Sequence, residues 1–167
     1  MNEIHITGNA RVLGNARVLG NAAVFGNAGV SGDATVSGDA HVFGNACVSG
    51  DAHVSGFARL LGNASVYDTA CVLGTARVYG DACVYGNASV SGDARVSGNA
   101  VVQAGLIDGD ALITSTSDLT QVIVDDIVYS RFPQTDGSIR YTSTSYDVPE
   151  LVRMCLDVLA ASQEADR

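Results

Sequence analysis

The side chains in this sequence best suited to chemistry are three histidines (His5, His41, His53), four cysteines (Cys47, Cys71, Cys83, Cys155) and an arginine series, Arg59, Arg77 and Arg95, spaced eighteen residues apart. A histidine with an oriented partner in a sheltered pocket is a general base, and three that converge can hold zinc. Cysteines within reach of one another form disulfides or join a metal site. Guanidinium forks beside aromatic rings hold phosphates and stack on bases. Phe57 stands two residues before Arg59, and Tyr79 two residues after Arg77. Which of these chemistries is available depends on which side chains the fold brings together.

The fold is written in a six-residue period. Every position divisible by six from Ile6 to Val102 is aliphatic, nearly always Val, and Ala precedes each by two from Ala10 to Ala100. Gly follows each by two from Gly8 to Gly98, with Asp68 the one exception, and Asn or Asp usually comes next. In the unit A-x-V-x-G-[N/D], A-x-V-x reads as a short strand with Ala and Val inward and the variable positions outward. Gly followed by Asn or Asp reads as a corner, because these residues tolerate positive φ best. Three such units close a triangle, so coils of about 18 residues stack at the ~4.8 Å strand spacing. The register slips once, because Val102 and Ile107 lie five apart, and GDALIT (109–114) is the last recognisable unit. An all-β solenoid of about six coils, ending near residue 115, is the expectation.

The A-x-V-x-G-[N/D] hexads of residues 4–103, with their GNARV and GDARV wording, resemble the bacterial hexapeptide-repeat proteins, and are nearest to uncharacterised members from bacteria and their phages. The resemblance implies a left-handed parallel β-helix and assembly as a homotrimer around a threefold axis. It also implies a test for catalysis. Many relatives are acyltransferases that use a His as general base beside a loop extruded from a coil, which shapes an acyl-CoA site between subunits. Here all three His lie inside uninterrupted hexads with no inserted loop. The zinc-dependent carbonic anhydrases of this fold need three converging His. His41 and His53 are twelve apart, which places them on different faces. No catalytic residue, metal or cofactor is therefore expected, and an acyltransferase is the one enzyme class that stays open.

Residues eighteen apart stand above one another in such coils, which turns the variable letters into columns. Phe25, Phe43, Leu61 and Tyr79 form one outward apolar column, with His5, Ala23, His41, Arg59, Arg77 and Arg95 beside it. Large apolar side chains lined up outward mark a contact surface, so Phe25, Phe43, Leu61 and Tyr79 are the expected trimer interface. The corner pattern breaks at Phe57, Asp68-Thr69 and Thr75. A stack of like charges wants an acidic partner or an anionic ligand. His53, Phe57, Arg59, Arg77 and Tyr79 are accordingly the candidate lining of an intersubunit pocket for a small anion such as a nucleotide; pairing of each Arg with an Asp of a neighbouring protomer is the plainer alternative. Cys47 and Cys83 share a face two coils apart, roughly 9–10 Å, beyond the ~7 Å between Cα atoms that a disulfide tolerates. Cys71 points from another face. Free thiols in a reducing compartment are expected.

Net charge is −9, and every basic residue is Arg. The acids concentrate beyond residue 103, and an acidic chain without a basic stripe is a poor binder of nucleic acid. The opening MNEIHITGN lacks the basic start and apolar run of a signal peptide, and no apolar stretch is long enough to span a membrane. The cytoplasm of a bacterium or a phage-infected host is the expected location.

Residues 116–167 read as a small α+β cap on the solenoid of residues 1–115. TQVIVDDIVYSRF and SIRYTSTSY flank a PQTDG turn and read as a hairpin. DVPELVRMCLDVLAAS reads as a helix, with Asp147 and Glu150 as a capping box, Pro149 in the first turn and a Tyr146–Leu151 staple. Leu151, Met154, Cys155, Val158 and Leu159 form its apolar face. A lid is needed because a β-helix exposes unpaired strand edges at its ends. Taken together, these features predict a non-catalytic trimeric interaction or assembly protein, whose partner could be a host or phage protein. Sequestration of a small anionic signal is the second function considered.

Overall fold

Each hexad folds as a two-residue strand followed by a corner. The computed structural model describes residues 4–115, 120–124, 127–135, 138–143 and 156. Within 4–115, nineteen such strands follow one another from His5–Ile6 to Leu112–Ile113. Successive strands pass to the first, second and third of three parallel sheets, of seven, six and six strands. The chain is a parallel β-solenoid of about six turns.

The register matches the expected coil. His5 pairs with Ala23, Ala23 with His41, His41 with Arg59, Arg59 with Arg77, and Arg77 with Arg95, each eighteen residues on. Backbone bonds continue through the corners, as in Asn45 N to Gly62 O at 2.8 Å. The slip between Val102 and Ile107 shortens the last steps to seventeen, so that Ser89 pairs with Leu106 and Arg95 with Leu112. The ladder absorbs the missing residue without a gap in the sheets.

Alternation buries the Ala and Val of each unit completely from Ala22 to Ala82. The core is a narrow column, and its N-terminal end is less covered: Ile6 is 46% exposed, whereas Val24 above it is fully buried. Glycine is required at the corners for two reasons. At Gly56 φ is +75°, and a Cβ there would lie 2.8 Å from the carbonyl oxygen of Gly74 in the next coil. Asp68 adopts φ 59° at the equivalent position, and its carboxylate accepts a hydrogen bond from the Gly86 N–H at 3.1 Å. The corner Asn side chains form a ladder in which Asn9 donates to Asn27, Asn27 to Asn45, Asn45 to Asn63, and Asn63 to Asp81, at 2.8–3.2 Å.

Beyond the solenoid, the expected hairpin is a three-stranded antiparallel sheet of Thr120–Val124, Ile127–Pro133 and Ile139–Ser143. The stretch read as one strand divides where Val124 pairs with Ile127. Two consecutive Asp lie between them, residues that favour turns over strands. The second and third strands pair across the expected turn, Pro133 with Ile139. Phe132 is fully buried and belongs to the same core cluster as Ile107 and Ile113. Gln134 bridges to Ala111, its side-chain oxygen accepts from Asp110 N at 3.2 Å, and Arg140 meets Asp108 at 2.6 Å. The predicted helix of residues 147–162 lies outside the described residues except for Leu156, which is helical and buried.

Candidate functional site: an aromatic ridge and a cation column

The first sheet presents both features singled out in the sequence. Phe25 and Phe43 stack with ring centroids 4.9 Å apart and planes 3° from parallel. Leu61 and Tyr79 continue the column in register, each backbone N–H bonding the next coil (Leu61 N to Val78 O, Tyr79 N to Val96 O). The strand spacing of about 4.8 Å sets the stacking distance, which falls at the favourable end for aromatic pairs. All four side chains are half-buried within their own chain.

Beside this ridge run His41, Arg59, Arg77 and Arg95, paired strand to strand. The three guanidiniums are exposed, and among the described residues no carboxylate pairs with them. Below them, Nδ1 of His41 is buried and has no hydrogen-bond partner among the described residues. A shallow groove of about 500 Å³ lies between the column and the ridge, lined by Leu61, Gly62, Arg77, Tyr79, Gly80 and Arg95. Gly62 and Gly80 are corner glycines and contribute only backbone to the lining.

The corner that precedes the cation column explains why those charges are unopposed. It reads Asn21, Asp39, Phe57, Thr75 and Asp93 at successive coils. Asp39 accepts from Asn21 at 3.0 Å, and Asp93 accepts from the Thr75 hydroxyl, which also bonds Gly92 O at 2.8 Å. Next to Arg59 and Arg77 the corner holds Phe57 and Thr75, neither of them acidic. Thr69 likewise bonds Gly86 O at 2.8 Å. The breaks at Asp68-Thr69 and Thr75 thus serve coil-to-coil bonding, whereas Phe57 stands 61% exposed.

The structure therefore brings Arg59, Arg77 and Tyr79 onto one face with Phe57 at its edge. His53 belongs to the third sheet, paired with Thr35 and Cys71, and does not line the groove. Arg95 does, and its eighteen-residue spacing from Arg77 was the available signal. On the second face Tyr67 stacks on Tyr85, with centroids 4.9 Å apart, as their eighteen-residue spacing in one outward column implies. Burial, then Cys83, Tyr85 and Asp68, push the Tyr67 phenol above its ordinary value. Burial also raises the Cys71 thiol. Cys47, Cys71 and Cys83 are free. The three His do not converge: His5 and His41 are separated by the strand of Ala23, and His53 is in another sheet. Among the described residues no three His, Cys, Asp or Glu side chains cluster as metal ligands.

These observations define a class, a parallel β-solenoid built from short repeats. Agreeing with that, the family model described as the YdcK beta solenoid repeat matches two consecutive units of the chain, residues 76–92 and 94–110. No curated protein matches the chain.

Proposed function

We propose that the chain is a non-catalytic interaction and assembly protein of bacterial or phage origin, working in the cytoplasm as a homotrimer of left-handed β-helices. The observation that carries this reading is the ridge of Phe25, stacked on Phe43 at 4.9 Å, continued in register by Leu61 and Tyr79. A rigid sheet holds these side chains at fixed spacing, so a partner face can cover all four without ordering flexible loops, and little entropy is lost on binding. A second copy offers the same ridge, and closed rotational symmetry buries it on every subunit. The left-handed sense rests on the hexad's resemblance to the hexapeptide-repeat proteins.

Residues 1–115 supply the contact faces, and residues 116–167 cap the last coil. The buried Phe132 and the Ala111–Gln134 bridge support that role, since a covered edge cannot recruit another strand. Free thiols at Cys47, Cys71 and Cys83 suit a reducing compartment. Sedimentation of the purified chain tests the assembly. A mass of about 51 kDa, three times the 17.1 kDa chain, is expected for a closed trimer. Phe43→Asp, which places a charge in the ridge, should convert it to monomer with the fold intact.

A further inference from the structure

We infer that the groove between the cation column and the ridge is a binding site for a small ligand carrying adjacent phosphates. Arg77 and Arg95 grip the phosphates, and Tyr79 and Leu61 form the floor for its apolar or ring-bearing part. Three features of the structure converge on this site. First, Arg59, Arg77 and Arg95 are held in register by the sheet, about one strand spacing apart. Like charges directly opposite one another are unfavourable, and among the described residues nothing acidic pairs with them. Second, the nearest corner carboxylates are engaged elsewhere: Asp93 accepts from Thr75, and Asp81 across the groove accepts from Asn63 at 2.8 Å. Third, the space is already formed. The groove of about 500 Å³ is lined by Leu61 and Tyr79 together with Arg77 and Arg95, with Gly62 and Gly80 contributing backbone.

The chemistry of the ligand follows from the lining. Guanidinium forks bind phosphate oxygens through paired hydrogen bonds. Two forks at strand spacing suit neighbouring phosphate groups better than a single carboxylate. Arg59 extends the column on the side of Phe57. The site belongs to one chain; because the proposed trimer contact also uses Leu61 and Tyr79, ligand and partner subunit compete for this face, and binding is strongest in the Phe43→Ala monomer. His53 takes no part.

The test is isothermal titration calorimetry of the full chain at low salt, with tripolyphosphate as the inorganic probe and ATP as the nucleoside-bearing one. Saturable binding that weakens as salt rises is expected. Arg77→Gln and Arg95→Gln should each weaken it about tenfold or more, as for loss of a charge-assisted bond, while Arg17→Gln on the third face should leave it unchanged. If ATP binds more tightly than tripolyphosphate and Tyr79→Leu removes the difference, the ligand is a nucleotide. Equal binding of both probes assigns the site to the phosphates alone. No binding of either probe at millimolar concentration, by the Phe43→Ala monomer included, or binding unchanged in the Arg77→Gln/Arg95→Gln double variant, would overturn the inference. All these side chains are on the surface, so an unchanged circular dichroism melt certifies the fold. Sedimentation of the same samples keeps the two readings apart: a wild-type monomer that binds keeps the site and removes the assembly, and a wild-type trimer whose Phe43→Ala monomer also fails to bind does the reverse.

Discussion

Truncating Phe43 to Ala should dissociate the trimer while leaving the solenoid folded. A phenylalanine side chain offers about 200 Å² of surface. Phe43 is half-buried against its own chain, so at most about a third of its surface, about 70 Å², is left for a partner to cover. At ~25 cal/mol per Å² that is about 2 kcal/mol per protomer and about 5 kcal/mol per trimer. The trimerisation constant should fall by a factor of about 10³ to 10⁴. Within the chain, loss of the stack on Phe25 costs about 1 kcal/mol and lowers the melting temperature by about 2–4 °C. Sedimentation velocity over a range of micromolar concentrations reads the first effect, and thermal melting reads the second. Tyr85→Ala is the matched control. It removes an equivalent stack, Tyr67 on Tyr85 at 4.9 Å, from a different face, so the melt should drop similarly with no change in mass. A wild-type chain that sediments as a single subunit would refute the reasoning, as would dissociation by Tyr85→Ala equal to that by Phe43→Ala.

Further predictions concern the corners and the titrating groups. Gly56→Ala should destabilise by about 2–3 kcal/mol, because it combines a left-handed φ with a Cβ pressed on the Gly74 carbonyl; thermal melting should fall by about 5–10 °C. Asp68→Ala loses the acceptor for Gly86 N–H and keeps the positive φ, costing about 1–2 kcal/mol. In Asp68→Gly the relieved backbone offsets the lost bond, so its melt should stay close to wild type. The raised Tyr67 phenol binds its proton more tightly in the folded than in the unfolded chain. The stability this adds is intact below the ordinary tyrosine value of about 10 and is lost as pH climbs through the raised one. Melting temperature should therefore fall more steeply above that pH in wild type than in Tyr67→Phe. In single-cysteine variants, the partly buried Cys71 with its raised thiol should react more slowly with Ellman's reagent than the exposed Cys47.

The solenoid was legible because a strict period leaves one solution. Alternating Ala and Val need a common interior, and Gly every six residues needs a corner. Eighteen residues per turn then follow, which places Phe25 over Phe43 and Arg59 over Arg77 before any coordinate is known. The five-residue step at 102–107 was legible as a slip, although nothing local said that the sheets would close over it. The region after residue 115 was less legible because it has no period: the strands flanking the PQTDG turn follow from their composition, whereas the division of the first of them into Thr120–Val124 and Ile127–Pro133 does not.

Column membership was a property of the sequence, since the repeat length alone decides which residues stack. Whether a stacked residue is free or engaged was decided in three dimensions. Thr75 and Asp68 looked like the same kind of anomaly as Phe57, yet their side chains bond the neighbouring coil, and that Phe57 projects while they are tied in depends on hydrogen-bond geometry across eighteen residues. The groove, too, arises between columns. It takes its apolar side from Leu61 and Tyr79 and its charge from Arg77 and Arg95, and such space depends on how adjacent coils pack, which no letter pattern records.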